Sequence, residues 1–247
     1  MLLTWIVVFS LLGSVGSLAG ALLLLAFPSR MRSTVVPALV SYSAGTLLGA
    51  AFLGMLPQAL ERAYAGPVLA TVLAGIVLFF LLEKLVIWRH CHDGECERHN
   101  TAGPLILFGD AFHNFVDGVV IAAAFLISIP LGTATALAVI AHEVPQEIGD
   151  FAVLLDSGYP RQRAFLYNLY SSLATLPGAM IAYFYLTTVQ AAVPYILAFS
   201  AASFIYIATA DLIPKLHRNA GLGASIEQIF LLLAGIGTIL FFRLHQG

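Results

Sequence analysis

The sequence predicts an all-α polytopic membrane protein with eight spanning helices and both termini on the extracytoplasmic side. Three observations carry this expectation. Of 247 residues, 60% are hydrophobic and only 10% are charged, where a soluble domain carries roughly 25% charge. So apolar a chain cannot cover its own surface with polar groups, and lipid must be its solvent. The apolar residues fall into eight runs, each close to the ~20 residues that cross a bilayer. Finally, the lysines and arginines are divided unevenly between the two sets of loops that these runs define.

The runs lie near 4–27, 35–60, 66–88, 103–127, 132–155, 162–186, 191–213 and 225–243. The first has no basic residue before it, Arg30 being the earliest in the chain. It lacks the positive n-region of a secretory signal and is read as a retained helix. Its Gly16–Gly20 pair predicts close helix packing. Pro28-Ser29 closes it, Gly66-Pro67 opens the third run, and Gly158-Tyr159-Pro160 separates the fifth from the sixth. The longest polar break runs from Arg89 to Thr101. No stretch reads as a separate soluble domain, so residues 1–247 are expected to form a single transmembrane domain.

Cytoplasmic loops are enriched in Lys and Arg. With both termini outside, the inner side holds Arg30, Arg32, Lys84, Arg89, Arg98, Arg161, Arg163, Lys215 and Arg218, and the outer side only Arg62 and Arg243. The opposite topology inverts that bias. The net charge of -2 and the absence of a basic patch exclude a nucleic-acid partner. The two cysteines, Cys91 and Cys96, are too few for a disulfide framework and read as reduced cytoplasmic thiols.

The chemistry concentrates in the fourth and fifth runs. Between Ala102 and Leu155 the chain carries Asp110, Asp117, Glu143, Glu147 and Asp150 but no Lys or Arg. Buried carboxylates are costly and ionised ones more so. They must be neutralised by protons, by bases on other helices or by a bound cation. His113 and Asp117 are four residues apart and share a helix face, with Asn114 beside them. In the fifth run the same spacing relates His142 to Gln146 and Glu143 to Glu147. His113 and His142 each lie about ten residues into their runs, hence roughly 15 Å deep, near the midplane of a ~30 Å core. Transporter sites lie at that depth. Pro145 strips the Ala141 carbonyl of its helical donor, which is tolerated where the helix lines a polar cavity. Imidazole, carboxylate and carboxamide together suit first-row divalent ions, zinc, iron(II) and manganese among them, with cadmium as a surrogate.

HNFVDG at 113–118 and HEVPQEIGDF at 142–151 resemble the paired motifs of the ZIP family of metal transporters, in the branch whose fifth helix usually reads HExPHE. The likeness extends to Gly45-Thr46-Leu47-Leu48 with Leu56-Pro57, and to Ala210-Asp211-Leu212-Ile213-Pro214. It implies an eight-helix fold and metal uptake toward the cytoplasm by alternating access, one bundle sliding against a scaffold. It also implies a homodimer, and the compact chain fits a bacterial inner membrane. Carried over residue by residue, His113, Asp117, His142 and Gln146 would form a first metal position. Asn114, Glu143 and again Asp117 would form a second. The ion is cargo, and no prosthetic group is implied. Gln146 stands where the branch has its second histidine. Gly54 and Met55 stand where a histidine often precedes the Leu-Pro pair.

Bland alternatives accompany these readings. The His and acid residues could be an interhelical polar lock. Gln146 is either a ligand or a hydrogen-bonding neighbour of one. Asp110, Glu147 and Asp150 read as an exit path or as polarity at a helix end, and Asn168 as a site residue or an ordinary interhelical bond. Asp211 reads as structural. His90, Cys91, His92, Cys96 and His99 could capture metal or belong to a solvated loop. Two other functions fit the same residues. His142-Glu143-x-x-Gln146 approaches the HExxH of an intramembrane zinc metalloprotease, and a metal-selective channel would use the same site as a carrier.

Overall fold

The computed structural model describes residues 1–88, 102–156, 158–217 and 221–244. The expected loop site at His90, Cys91, His92, Cys96 and His99 lies outside them, as do Arg89, Arg98 and Arg218. The described residues are helical throughout apart from short turns. In chain order the helices are α1 (Leu2–Ala26), α2 (Ser29–Arg62), α3 (Ala65–Trp88), α4 (Ala102–Ile127), α5 (Ile129–Asp156), α6 (Arg161–Thr188), α7 (Gln190–Leu216) and α8 (Leu222–Leu244). Seven of them are long and apolar enough to cross a membrane. The eighth, α5, is 28 residues long, but His142, Glu143, Gln146, Glu147 and Asp150 depress its hydropathy.

The helices divide into two groups by their packing. One comprises α1, α4, α5 and α6, the other α2, α3, α7 and α8, and the groups meet chiefly where α5 lies against α2 and α8 and where α4 lies against α7. Each group is built on a pair of helices in backbone contact, and glycine is the reason. A Cβ placed on Gly118 would lie 1.9 Å from the Thr175 carbonyl oxygen, and one on Gly178 would lie 2.1 Å from that of Phe115. Each of α4 and α6 thus contributes a glycine to the other's path. Gly45 and Gly235 do the same for α2 and α8, with a Cβ 2.0 Å from the Leu232 oxygen and 2.3 Å from the Tyr42 oxygen. In lipid, where apolar burial does not drive association, such approach maximises dispersion contacts.

Turn chemistry sets the antiparallel course of the site helices. Ser128 alone separates α4 from α5 and accepts the Leu131 N–H at 3.2 Å, a side-chain N-cap that satisfies one orphan donor. At the other end of α5 the Tyr159 N–H bonds the Leu154 oxygen and the Gly158 N–H the Leu155 oxygen. Gly158 has φ +84°. This is a Schellman cap, whose left-handed position favours glycine.

The structure departs from the expected runs in three places. The second helix begins at Ser29 rather than near 35, because Pro28, extended at the N-cap position, accepts the Met31 and Arg32 N–H groups on its carbonyl and starts the helix in the polar turn Ser29–Thr34. The sixth is interrupted at Leu173-Ala174. The first, second and seventh each contain a π-helical stretch, Leu12–Gly16, Ala50–Met55 and Ile207–Leu212, and the last two end two residues before Pro57 and Pro214. A widened turn absorbs the hydrogen bond that a proline cannot donate.

Candidate metal centre

α4 and α5 run antiparallel, so residues equally distant from Ser128 face one another. His113 and His142 meet with their Nε2 atoms 3.1 Å apart. Asp117 lies one turn from His113 on the same face. Its Oδ2 is 3.7 Å from His113 Nε2 and 3.2 Å from His142 Nε2. Glu143 Oε1 is 3.3 Å from His113 Nε2 and 3.5 Å from His142 Nε2. One donor atom from each of the four residues lies within 4.8 Å of the others. Asp117, His142 and Glu143 are buried and His113 is partly exposed.

These separations match what a dication needs. A tetrahedron whose corners lie about 2.0–2.1 Å from a central zinc has edges of roughly 3.3–3.4 Å. The five measured edges span 3.1–3.7 Å. The His142 ring is set for the task, because its Nδ1 lies 3.0 Å from the Ala138 carbonyl oxygen. That acceptor takes the Nδ1 proton and leaves the Nε2 lone pair aimed inward. Phe204 of α7 closes the far side, edge to face with His142 at 6.0 Å between centroids.

The charge balance also points to a cation. All four carboxylate oxygens of Asp117 and Glu143 are buried without a conventional hydrogen bond. Among the described residues the ion pair of an acid with Lys or Arg is Lys215–Asp211, at an exposed position on α7. The site's acids therefore have only the two imidazoles for company. As a polar lock the group would have only the two imidazoles to offer these oxygens, and each one left unsatisfied costs several kcal/mol.

The remaining candidates form a second polar layer, on the side of the site away from Ser128. Asp110 Oδ1 accepts the Asn114 side-chain nitrogen and the Gln146 side-chain nitrogen, each at 3.1 Å. The Asn114 oxygen faces the Thr175 hydroxyl at 3.0 Å. Glu147 is buried and its carboxylate accepts the Ser172 hydroxyl. Asn168 donates to the Glu147 backbone oxygen at 3.2 Å. Asp150 Oδ2 and Asn168 Oδ1 are buried without partners. The structure thus brings His113, Asp117, His142 and Glu143 together. It places Asn114, Gln146, Asp110, Glu147, Asp150 and Asn168 in the adjoining layer.

Three participants escape a reading of the sequence. Ser172 and Thr175 follow Asn168 at helical spacings of four and seven, a polar stripe in an otherwise apolar run that could have announced them. Ser43 on α2 hydrogen-bonds the Ala141 carbonyl, the acceptor released by Pro145. No local signal connects those two positions.

Fold and site together define a multi-pass membrane protein with a buried group of four converging His, Asp and Glu side chains that could hold a metal ion. The family model described as ZIP Zinc transporter matches residues 87–243. The chain is 33% identical over 265 residues to Zinc transporter ZIP13 of Pongo abelii, covering 98% of this chain and 79% of that protein. It is 38% identical over 146 residues to Zinc transporter zipt-7.2 of Caenorhabditis elegans and 37% over 144 residues to Zinc transporter foi of Drosophila melanogaster. Those alignments take in 58% of this chain but only 32% and 20% of the two relatives. The chain belongs to the ZIP family of metal transporters. It is not an enzyme, and the metalloprotease reading of His142-Glu143-x-x-Gln146 finds no support. Pro145 stands inside the motif helix, and Gln146, in place of the second histidine, turns its nitrogen to Asp110.

Proposed function

We propose that this protein carries divalent transition-metal ions, zinc foremost, across the membrane through the His113–Asp117–His142–Glu143 site. Iron(II), manganese and cadmium fit the same mixed nitrogen and oxygen donors. One observation carries the reading: four convergent donor atoms, five of whose six separations are near tetrahedral edge lengths, with no Lys or Arg paired to them among the described residues. Asn114 and Gln146 complete the expected ligand set or a second metal position.

In this reading all eight helices span, α5 included, as a single domain over residues 1–247 with both termini extracytoplasmic. The ion moves toward the cytoplasm. Asp110, Glu147, Asp150 and Asn168 line its way out. The two helix groups support alternating access, since α4 and α5 carry the ligands while α2 and α7 wall the site from the other group. A homodimer in the inner membrane of a bacterial cell completes the proposal.

The test is uptake of radioactive zinc into proteoliposomes by the purified chain and by His113→Ala and His142→Ala variants of matched monodispersity. Uptake lost in both variants supports the site. Uptake at the parent rate in either one rejects it. Flux that saturates and depends steeply on temperature distinguishes a carrier from a channel with the same site.

A further inference from the structure

Asp110 is not among the four converging donors, yet it holds a singular place beside them. It precedes His113 by three residues on α4, and Gln146 follows His142 by four on α5. Because the helices are antiparallel, both lie one turn to the same side of the two histidines. There a single oxygen, Asp110 Oδ1, accepts hydrogen bonds from two carboxamides, Asn114 and Gln146, both at 3.1 Å.

A carboxylate can only accept, so each amide must present its nitrogen. For Asn114 this engages both ends of the amide and leaves one lone pair on its oxygen. Its nitrogen also reaches the Asp110 backbone oxygen at 3.2 Å, and its oxygen is engaged by Thr175. For Gln146 it decides orientation. The nitrogen is held on Asp110, and the carbonyl oxygen is the end left free for another partner. Both amide nitrogens converge on that one oxygen at hydrogen-bond distance, which makes the choice between the two ends of Gln146. Without Asp110 the amide could turn over and present N–H groups, which repel a cation.

We infer that Asp110 is a positioning residue that fixes the free end of Gln146 as an oxygen donor and thereby sets the ion preference of the transport site. An amide oxygen is a harder ligand than imidazole and weights the site toward manganese relative to zinc. An imidazole at position 146 could accept the same tie. One ring nitrogen would donate to Asp110 and the other would face the ion, in a carboxylate–histidine–metal relay.

This inference rests on the transport reading, and its test separates the two. Zinc and manganese KM values are measured in proteoliposomes for the parent, Asp110→Asn, Gln146→Ala and the double variant, with His142→Ala as the control for the transport reading itself. The zinc-to-manganese KM ratio is expected to change about tenfold on Asp110→Asn in the parent, and less than about twofold when Gln146 is already Ala, the non-additivity of coupled residues. Gln146→His is expected to shift preference toward zinc by at least about tenfold, a result that does not depend on any Asp110 variant folding. An equal shift in both backgrounds, no shift in either, or an unmoved ratio in Gln146→His overturns the inference while transport by the parent still stands. A parent that moves neither ion rejects the transport reading.

Discussion

The Ser43 hydroxyl of α2 is hydrogen-bonded to the carbonyl oxygen of Ala141 on α5, the acceptor that Pro145 deprives of its helical N–H. One helix group thus repairs a defect in the other, next door to His142. Ser43→Ala should leave that carbonyl orphaned and cost about 1–3 kcal/mol, read as a lowered Tm in detergent. Pro145→Ala returns an N–H to the helix, so in that background Ser43→Ala should cost little. An equal cost in both backgrounds would show that the hydroxyl matters for another reason.

Asp117 faces both imidazoles with no other partner. Asp117→Asn preserves its shape and removes its charge. Zinc KM should rise by at least about tenfold, the penalty for taking one anionic donor from a desolvated dication. An unaltered KM would place the ion elsewhere.

The helix seams predict two opposite outcomes for one chemical change. Gly118→Ala or Gly178→Ala drives a methyl into a backbone oxygen that cannot yield, and should destabilise by about 3 kcal/mol or more. Gly237 of α8 has open space around its missing Cβ, so Gly237→Ala should be neutral or stabilising by up to about 1 kcal/mol. Thermal melts of the purified variants compare the three directly. Similar melting temperatures for all three would refute the seam.

Asp211 and Lys215 pair at 2.7 Å with both side chains more than half exposed. Such pairs contribute about 0–1 kcal/mol. Asp211→Asn should leave both Tm and zinc uptake near parent values, and a large loss of uptake would assign Asp211 a role in the ion's path.

Much of this centre is written locally. The four-residue spacing of His113 and Asp117, the adjacent His142 and Glu143, and the lack of any Lys or Arg across both helices mark four donors before any coordinate is known. Matching depths then place the two histidines at one level. What the chain does not disclose locally is which polar neighbour each amide will choose. Helical spacing assigns Gln146 to the face of His142, but only the packing of α4 against α5 brings Asp110 within 3.1 Å of its nitrogen. The hydroxyl of Ser43 is equally silent, since serines commonly bond their own helix in membrane spans, whereas Ser172 and Thr175 share a helical stripe with Asn168. The π turns before Pro57 and Pro214 follow from those prolines but leave no trace in the hydrophobic period, and neither does the break at Leu173-Ala174.

The interlocked glycines of α4 and α6 bear on how the molecule can move. With Gly118 under the Thr175 oxygen and Gly178 under that of Phe115, a slip of even one residue would ram side chains into peptide oxygens on both helices. The pair is therefore geared, and His113 and Asp117 must travel with the α6 residues that brace them, as passengers on one rigid carriage.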